Sequence, residues 1–118
     1  MENTSWHSYP KVYALGHAAI GTLLDGDVII EEKIDGSQFS FGVFDGKIYM
    51  KSRGKDQTDA VDSLFSLASE TVHNIAPLLI PGWTYRTEYL HRPKHNALCY
   101  DRVPLKNLIV FDINTGHE

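Results

Sequence analysis

Asp27-Val28-Ile29-Ile30-Glu31-Glu32-Lys33-Ile34-Asp35-Gly36-Ser37-Gln38-Phe39-Ser40-Phe41-Gly42-Val43-Phe44-Asp45-Gly46-Lys47-Ile48-Tyr49-Met50-Lys51-Ser52 decides the fold. Two Asp-Gly dipeptides punctuate it. Asp45-Gly46 separates two β-prone segments, 37–44 and 47–52, by two residues, the spacing and chemistry of a tight hairpin turn. Residues 27–33 form a short apolar run closed by Lys33, which reads as a preceding strand. Asp35-Gly36 then falls at a tight connection. The expectation is an antiparallel sheet entered by a strand that ends on a lysine.

Upstream, residues 16–24 read as a short helix with Ala18, Ala19, Leu23 and Ile20 facing inward, stopped by Asp25-Gly26. Downstream, Thr58 is the expected N-cap of a helix carrying Val61, Leu64, Phe65, Ala68, Val72, Ile75 and Ala76 at helical spacing. Pro77 ends that helix, and Pro81-Gly82 turns the chain into a strand over 83–90. Residues 91–104 read as loop. Residues 106–113, with a continuous apolar centre, read as a buried strand. The sum is an α+β domain over 1–118, mainly antiparallel sheet with flanking helices.

A chain of 118 residues that is 42% hydrophobic supports one modest core. The single cysteine, Cys99, makes no internal disulfide, and the N-terminus has no signal-peptide pattern. No apolar run reaches membrane-spanning length. A cytoplasmic protein with no membrane partner is expected. The net charge of −4 argues against a generic polyanion binder, yet charge is unevenly spread. Residues 25–35 hold Asp25, Asp27, Glu31, Glu32 and Asp35 against Lys33 alone. Lys51, Arg53 and Lys55 form a compact basic cluster, and Arg86, Arg92, Lys94, Arg102 and Lys106 a second basic stretch where polyanion contacts are expected.

The segment carrying most chemistry is Lys33-Ile34-Asp35-Gly36. By itself it fits a surface lysine before an ordinary turn as well as it fits a site, because short motifs recur by chance. It resembles the K-x-D-G motif of covalent nucleotidyltransferases. Lys51-Ser52-Arg53-Gly54, Tyr85-Arg86-Thr87-Glu88-Tyr89 and Val110-Phe111-Asp112-Ile113 follow in the order of the corresponding segments of ATP-dependent RNA ligases. The stretch from Arg92 to Pro104 is similar to connecting segments in phage and bacterial members. The chain thus resembles the N-terminal part of an RNA ligase adenylylation domain, with an ATP-grasp-like fold. Thr87 stands where the family has a glycine before the glutamate. The family's downstream glutamate- and lysine-bearing motifs find no room before Glu118, so the resemblance implies a truncated domain.

That resemblance implies ATP and Mg²⁺ as cofactors and AMP as a covalent intermediate. Lys33 attacks the ATP α-phosphorus, and AMP passes to an RNA 5′-phosphate before sealing to a 3′-hydroxyl. It sets Glu32 and Ile34 against adenine, Arg53 on ribose or phosphate, Glu88 on ribose and Phe111 on the base, with Asp35, Gly36 and Gln38 also binding nucleotide and Asp112 a lesser candidate. Lys51, Lys55, Arg92, Lys94 and Arg102 are implied RNA or phosphate contacts. The ligands of the metal stay open. A lysine amine must lose its proton to attack, and Glu31, Glu32 and Asp35 favour the charged form, so Mg²⁺, basic groups or desolvation must outweigh them. His91 and His95 stand four apart, but Pro93 between them argues against a helical metal pair, and His7, His17, His73 and His117 show no ligand spacing, so no zinc is expected. The implied partners are ATP, RNA ends, and either a second copy or a complementing C-terminal fragment. The alternative is a non-catalytic nucleotide-, RNA- or protein-binding fragment of the same family.

Overall fold

The computed structural model describes residues 5–116. Its centre is a four-stranded antiparallel sheet in the order β2-β1-β3-β4: β1 is Ser37–Phe44, β2 Lys47–Ser52, β3 Thr84–Tyr89 and β4 Leu108–Asn114. The β1–β2 hairpin is as the sequence predicts, with Phe44 opposite Lys47. Asp45 (φ 53°) and Gly46 (φ 75°) both take positive φ, which a two-residue turn matching the strand twist requires. The helix α1, Ser66–Ile75, packs on one face, between 3-10 turns at Ser63–Phe65 and Ala76–Leu78.

β1 is buried on both faces over residues 39–42. Phe39 and Phe41 point to α1 and join Met50, Phe65, Ala68, Val72 and Tyr89 in the core. Phe39 stacks on Phe65 with centroids 5.3 Å apart, and the buried Tyr89 donates its hydroxyl hydrogen to Leu64 O at 2.6 Å. Each buried Phe of this kind contributes about 1.5–3 kcal/mol through removal from water.

Four expectations are corrected. Residues 27–33 form no strand: they pair with nothing in the sheet and lie exposed, Ile29 and Ile30 at 88% and 90%. Residues 16–24 form no continuous helix. They make separate 3-10 turns at Ala18–Ile20 and Leu23–Asp25, where Ala18, Ala19 and Leu23 are exposed, because Gly16 and Gly21 weaken a short helix that no packing rescues. Thr58 caps no helix; its hydroxyl donates to Met50 O and accepts from Met50 N–H, tying the 53–62 loop to β2. Val61 and Leu64, expected on the core face of that helix, are exposed ahead of it. Finally β4 is an edge strand whose apolar centre is exposed, not buried. A bulge between its pairs Arg86–Asp112 and Thr87–Val110 leaves Phe111 without an opposite residue.

The second face of the sheet is crossed by residues 5–9. Ser5 Oγ donates to Gly82 O at 2.8 Å, Arg86 Nη2 donates to His7 O at 2.9 Å, and Asn114 Nδ2 donates to Ser5 O at 3.2 Å. Trp6 sets its ring edge-on to Phe44, 5.4 Å between centroids. This strap buries Arg86, whose Nη1 meets Asp112 Oδ2 at 2.6 Å. No helix of the described residues is long and apolar enough to cross a membrane.

Candidate functional site

Asp35 and Gly36 lie just before β1, and Glu88 lies on β3 opposite Gln38. Gly36 N–H donates to Glu88 Oε2 at 3.3 Å. A side chain at Gly36 would put its Cβ 2.3 Å from Tyr89 O, so only glycine lets this turn press on β3. Burial raises the Glu88 carboxyl above the usual range; the Gly36 N–H and the Lys33 charge pull it back, and the Asp35 charge adds to the rise. Lys33, Asp35, Gly36, Gln38 and Glu88 thus gather at one end of the β1–β3 pair. Lys33 itself sits on exposed irregular chain and not at the end of a strand as expected, because residues 27–33 find no pairing partner.

Asp35 is the hub of a second set of contacts. Its Oδ2 accepts the backbone N–H of Leu98 at 2.8 Å and of Ala97 at 2.9 Å, and its own N–H donates to Tyr100 Oη at 2.8 Å. Asn96 Nδ2 donates to Gly36 O at 2.7 Å. The Leu98 N–H above all holds the Asp35 carboxyl below the ordinary range, with Ala97, Asn96 and the His95 charge adding to it against desolvation. Residues 91–104 are irregular, as predicted, but they are fastened to the motif turn. Nothing at the level of spacing pointed to this: an Asp before a Gly wants amide donors, and these arrive some sixty residues later.

The fastened loop makes one wall of an open depression of about 430 Å³, lined by Glu32, Ile34, Leu90, Tyr100, Asp101, Arg102, Pro104 and Ile109. Glu32, Ile34 and Arg102 therefore meet around one hollow. Arg53, Lys51 and Lys55 line a different one, with Trp6, Ser8, Tyr49 and Asp56. There Lys51 Nζ sits 4.2 Å from the Trp6 ring centroid, and its amine is pushed down by burial and by the Arg86 charge. Lys55 is tied to Asp62 at 2.8 Å. Arg92 and Lys94 are exposed on the loop, the Arg92 guanidinium donating to Lys94 O.

Phe111, 38% exposed, contacts the Tyr9 ring edge-on at 5.2 Å and lines neither hollow. Arg86, counted with the second basic stretch, is buried against Asp112 and is not on the surface to take a phosphate. Among the described residues no group of three or more His, Cys, Asp or Glu is placed to hold a metal; His117 lies outside them. Comparison of the chain with family models, curated proteins and solved structures finds no match.

Proposed function

We propose that this chain is an adenylylation module of the RNA ligase kind, built on the ATP-grasp-like nucleotidyltransferase plan, in which Lys33 takes AMP from ATP and releases pyrophosphate. The lysine amine attacks the α-phosphorus, the bond to the β-phosphate oxygen breaks, and the ammonium proton leaves before attack. AMP then passes to an RNA 5′-phosphate. The observation that carries this reading is the convergence of Lys33, the Gly36 N–H and Glu88, from two segments 52 residues apart, beside a hollow bordered by Glu32 and Ile34.

In this reading adenine lies in the hollow against Ile34, Ile109 and Tyr100, with Arg102 facing phosphate, and Glu88, outside the hollow's lining beside Gly36, accepts ribose hydroxyls. Arg53, Lys51 and Lys55 border the path of an RNA backbone. Mg²⁺ would arrive on the nucleotide phosphates and keep water among its ligands. When bound it offsets phosphate charge.

Intact mass after incubation with ATP and Mg²⁺ should show one added AMP, mapped by peptide to Lys33. Lys33→Ala and Lys33→Arg should both abolish it, the guanidinium being too basic to attack. An adduct on another residue, or one that survives Lys33→Ala, rejects the assignment. A second reading, a non-catalytic nucleotide- or RNA-binding member of the same family, is favoured by the exposed, unpaired chain that carries Lys33. It predicts ATP binding in calorimetry with no adduct.

A further inference from the structure

His95 joins the loop to the motif turn through both of its ring nitrogens. Nε2 lies 2.7 Å from Ser37 Oγ, and Nδ1 lies 3.0 Å from the His91 backbone nitrogen. A backbone N–H can only donate, so Nδ1 must present a lone pair. The ring is therefore neutral, with its hydrogen on Nε2, and it donates to Ser37. That polarity excludes a familiar reading of a Ser–His contact: a histidine that donates to the hydroxyl is not the base that would activate it. The contact is a fastening instead.

We propose that His95 is a pH-sensitive latch: the neutral ring holds the His91 end of the loop on the Asp35–Ser37 turn, and protonation releases that end. A proton on Nδ1 would face the His91 N–H with a second N–H. The bond turns into a repulsion while the Ser37 contact survives. The charged groups bearing on the ring are His91 and Arg92 from the loop and Asp35 from the turn, and the Tyr89 ring of β3 stands edge-on at 5.7 Å. Burial first, then His91 and Arg92, lower the His95 pKa below 6.5, against the pull of Asp35. The latch contribution is thus whole above pH 6.5 and is lost as pH falls through the lower folded value. Asp35, held below 3.8, keeps Ala97 and Leu98 fastened throughout that window. Release is therefore confined to the His91 end and hinges on the Asp35 contacts. None of this depends on ATP or on the adenylylation reading.

The test is nuclear magnetic resonance of the free chain between pH 7.5 and 4.5. At pH 7.5 the His95 ring nitrogen shifts should report hydrogen on Nε2 and a bare Nδ1. As pH falls from 6.5, His91 amide protection, corrected for intrinsic exchange, should drop by up to about tenfold per pH unit and level off below the ring's midpoint. Ala97 and Leu98 protection should hold. His95→Asn, whose carbonyl can accept the His91 N–H without titrating, should remove the pH dependence. A His95 ring charged at pH 7.5, His91 protection that ignores the His95 titration, or a His95→Asn chain with the original pH dependence would each overturn the latch.

Discussion

Residues 27–33 and β1 look alike as strings and differ completely as structure. Both are short, hold several β-branched or aromatic residues, and run up to an Asp-Gly dipeptide within two residues of their end. Yet Phe39 and Phe41 of β1 are 0% and 1% exposed, while Ile29 and Ile30 are almost fully exposed. β1 has β2 on one side, β3 on the other and α1 across one face. Residues 27–33 have none of these. A strand is a relation between segments, and its apolar residues contribute only where a neighbour removes them from water.

That contrast can be broken most forcefully at its buried end. Phe41→Ala should cost about 3–5 kcal/mol in denaturant unfolding, through lost burial and the cavity left beside Met50 and Tyr85. A loss below about 1 kcal/mol would mean the sheet is not packed as described. Next comes the junction between the two regions. Gly36→Ala forces a Cβ onto the Tyr89 carbonyl and should cost about 1–3 kcal/mol, with weakened protection of the Ala97 and Leu98 amides as the turn shifts. Unchanged stability would show that the turn does not press on β3.

Glu88→Gln separates fold from site. The raised Glu88 carboxyl favours the protonated folded state: its contribution is full below the ordinary value of 4.5 and is lost as pH rises through the higher folded value. Glutamine keeps an acceptor for the Gly36 N–H without a half-buried charge. The variant should match or exceed the parent in unfolding free energy at pH 7, by about half a kcal/mol or less given its solvent contact, and lose that margin in acid. Its ATP affinity should nevertheless fall if Glu88 meets ribose; equal affinity returns Glu88 to a structural role. The smallest effect belongs to Ile29→Ser, within about 0.5 kcal/mol of the parent at equilibrium. A large loss there would reveal that residues 27–33 are covered in solution.

The hairpin, the loop at 91–104 and the strand at β3 were legible because local rules decide them: a two-residue Asp-Gly turn, a proline, an alternation of two. The stripe Phe65, Ala68 and Val72 was legible too, although the α-helix begins later than Thr58, whose hydroxyl is taken by Met50. Residues 16–24 misled because helix propensity without cover decides little. Continuous apolarity in β4 read as burial, but the same letters serve an edge strand bent by a bulge at Phe111. As to the site, the sequence marked Lys33, Asp35, Gly36 and Glu88 but left open what each touches.

Residue order alone therefore determined the antiparallel hairpin, the apolar stripe of α1 and the candidate lysine with its Asp-Gly turn, since each depends on neighbours a few positions away. Tertiary structure alone decided that Asp35 holds Ala97 and Leu98, that His95 closes on Ser37, that residues 5–9 bury Arg86 against Asp112, and that residues 27–33 stay uncovered. Hydrogen-bond donors, counter-charges and apolar cover come from wherever the chain returns in space, and spacing along the sequence carries no record of that return.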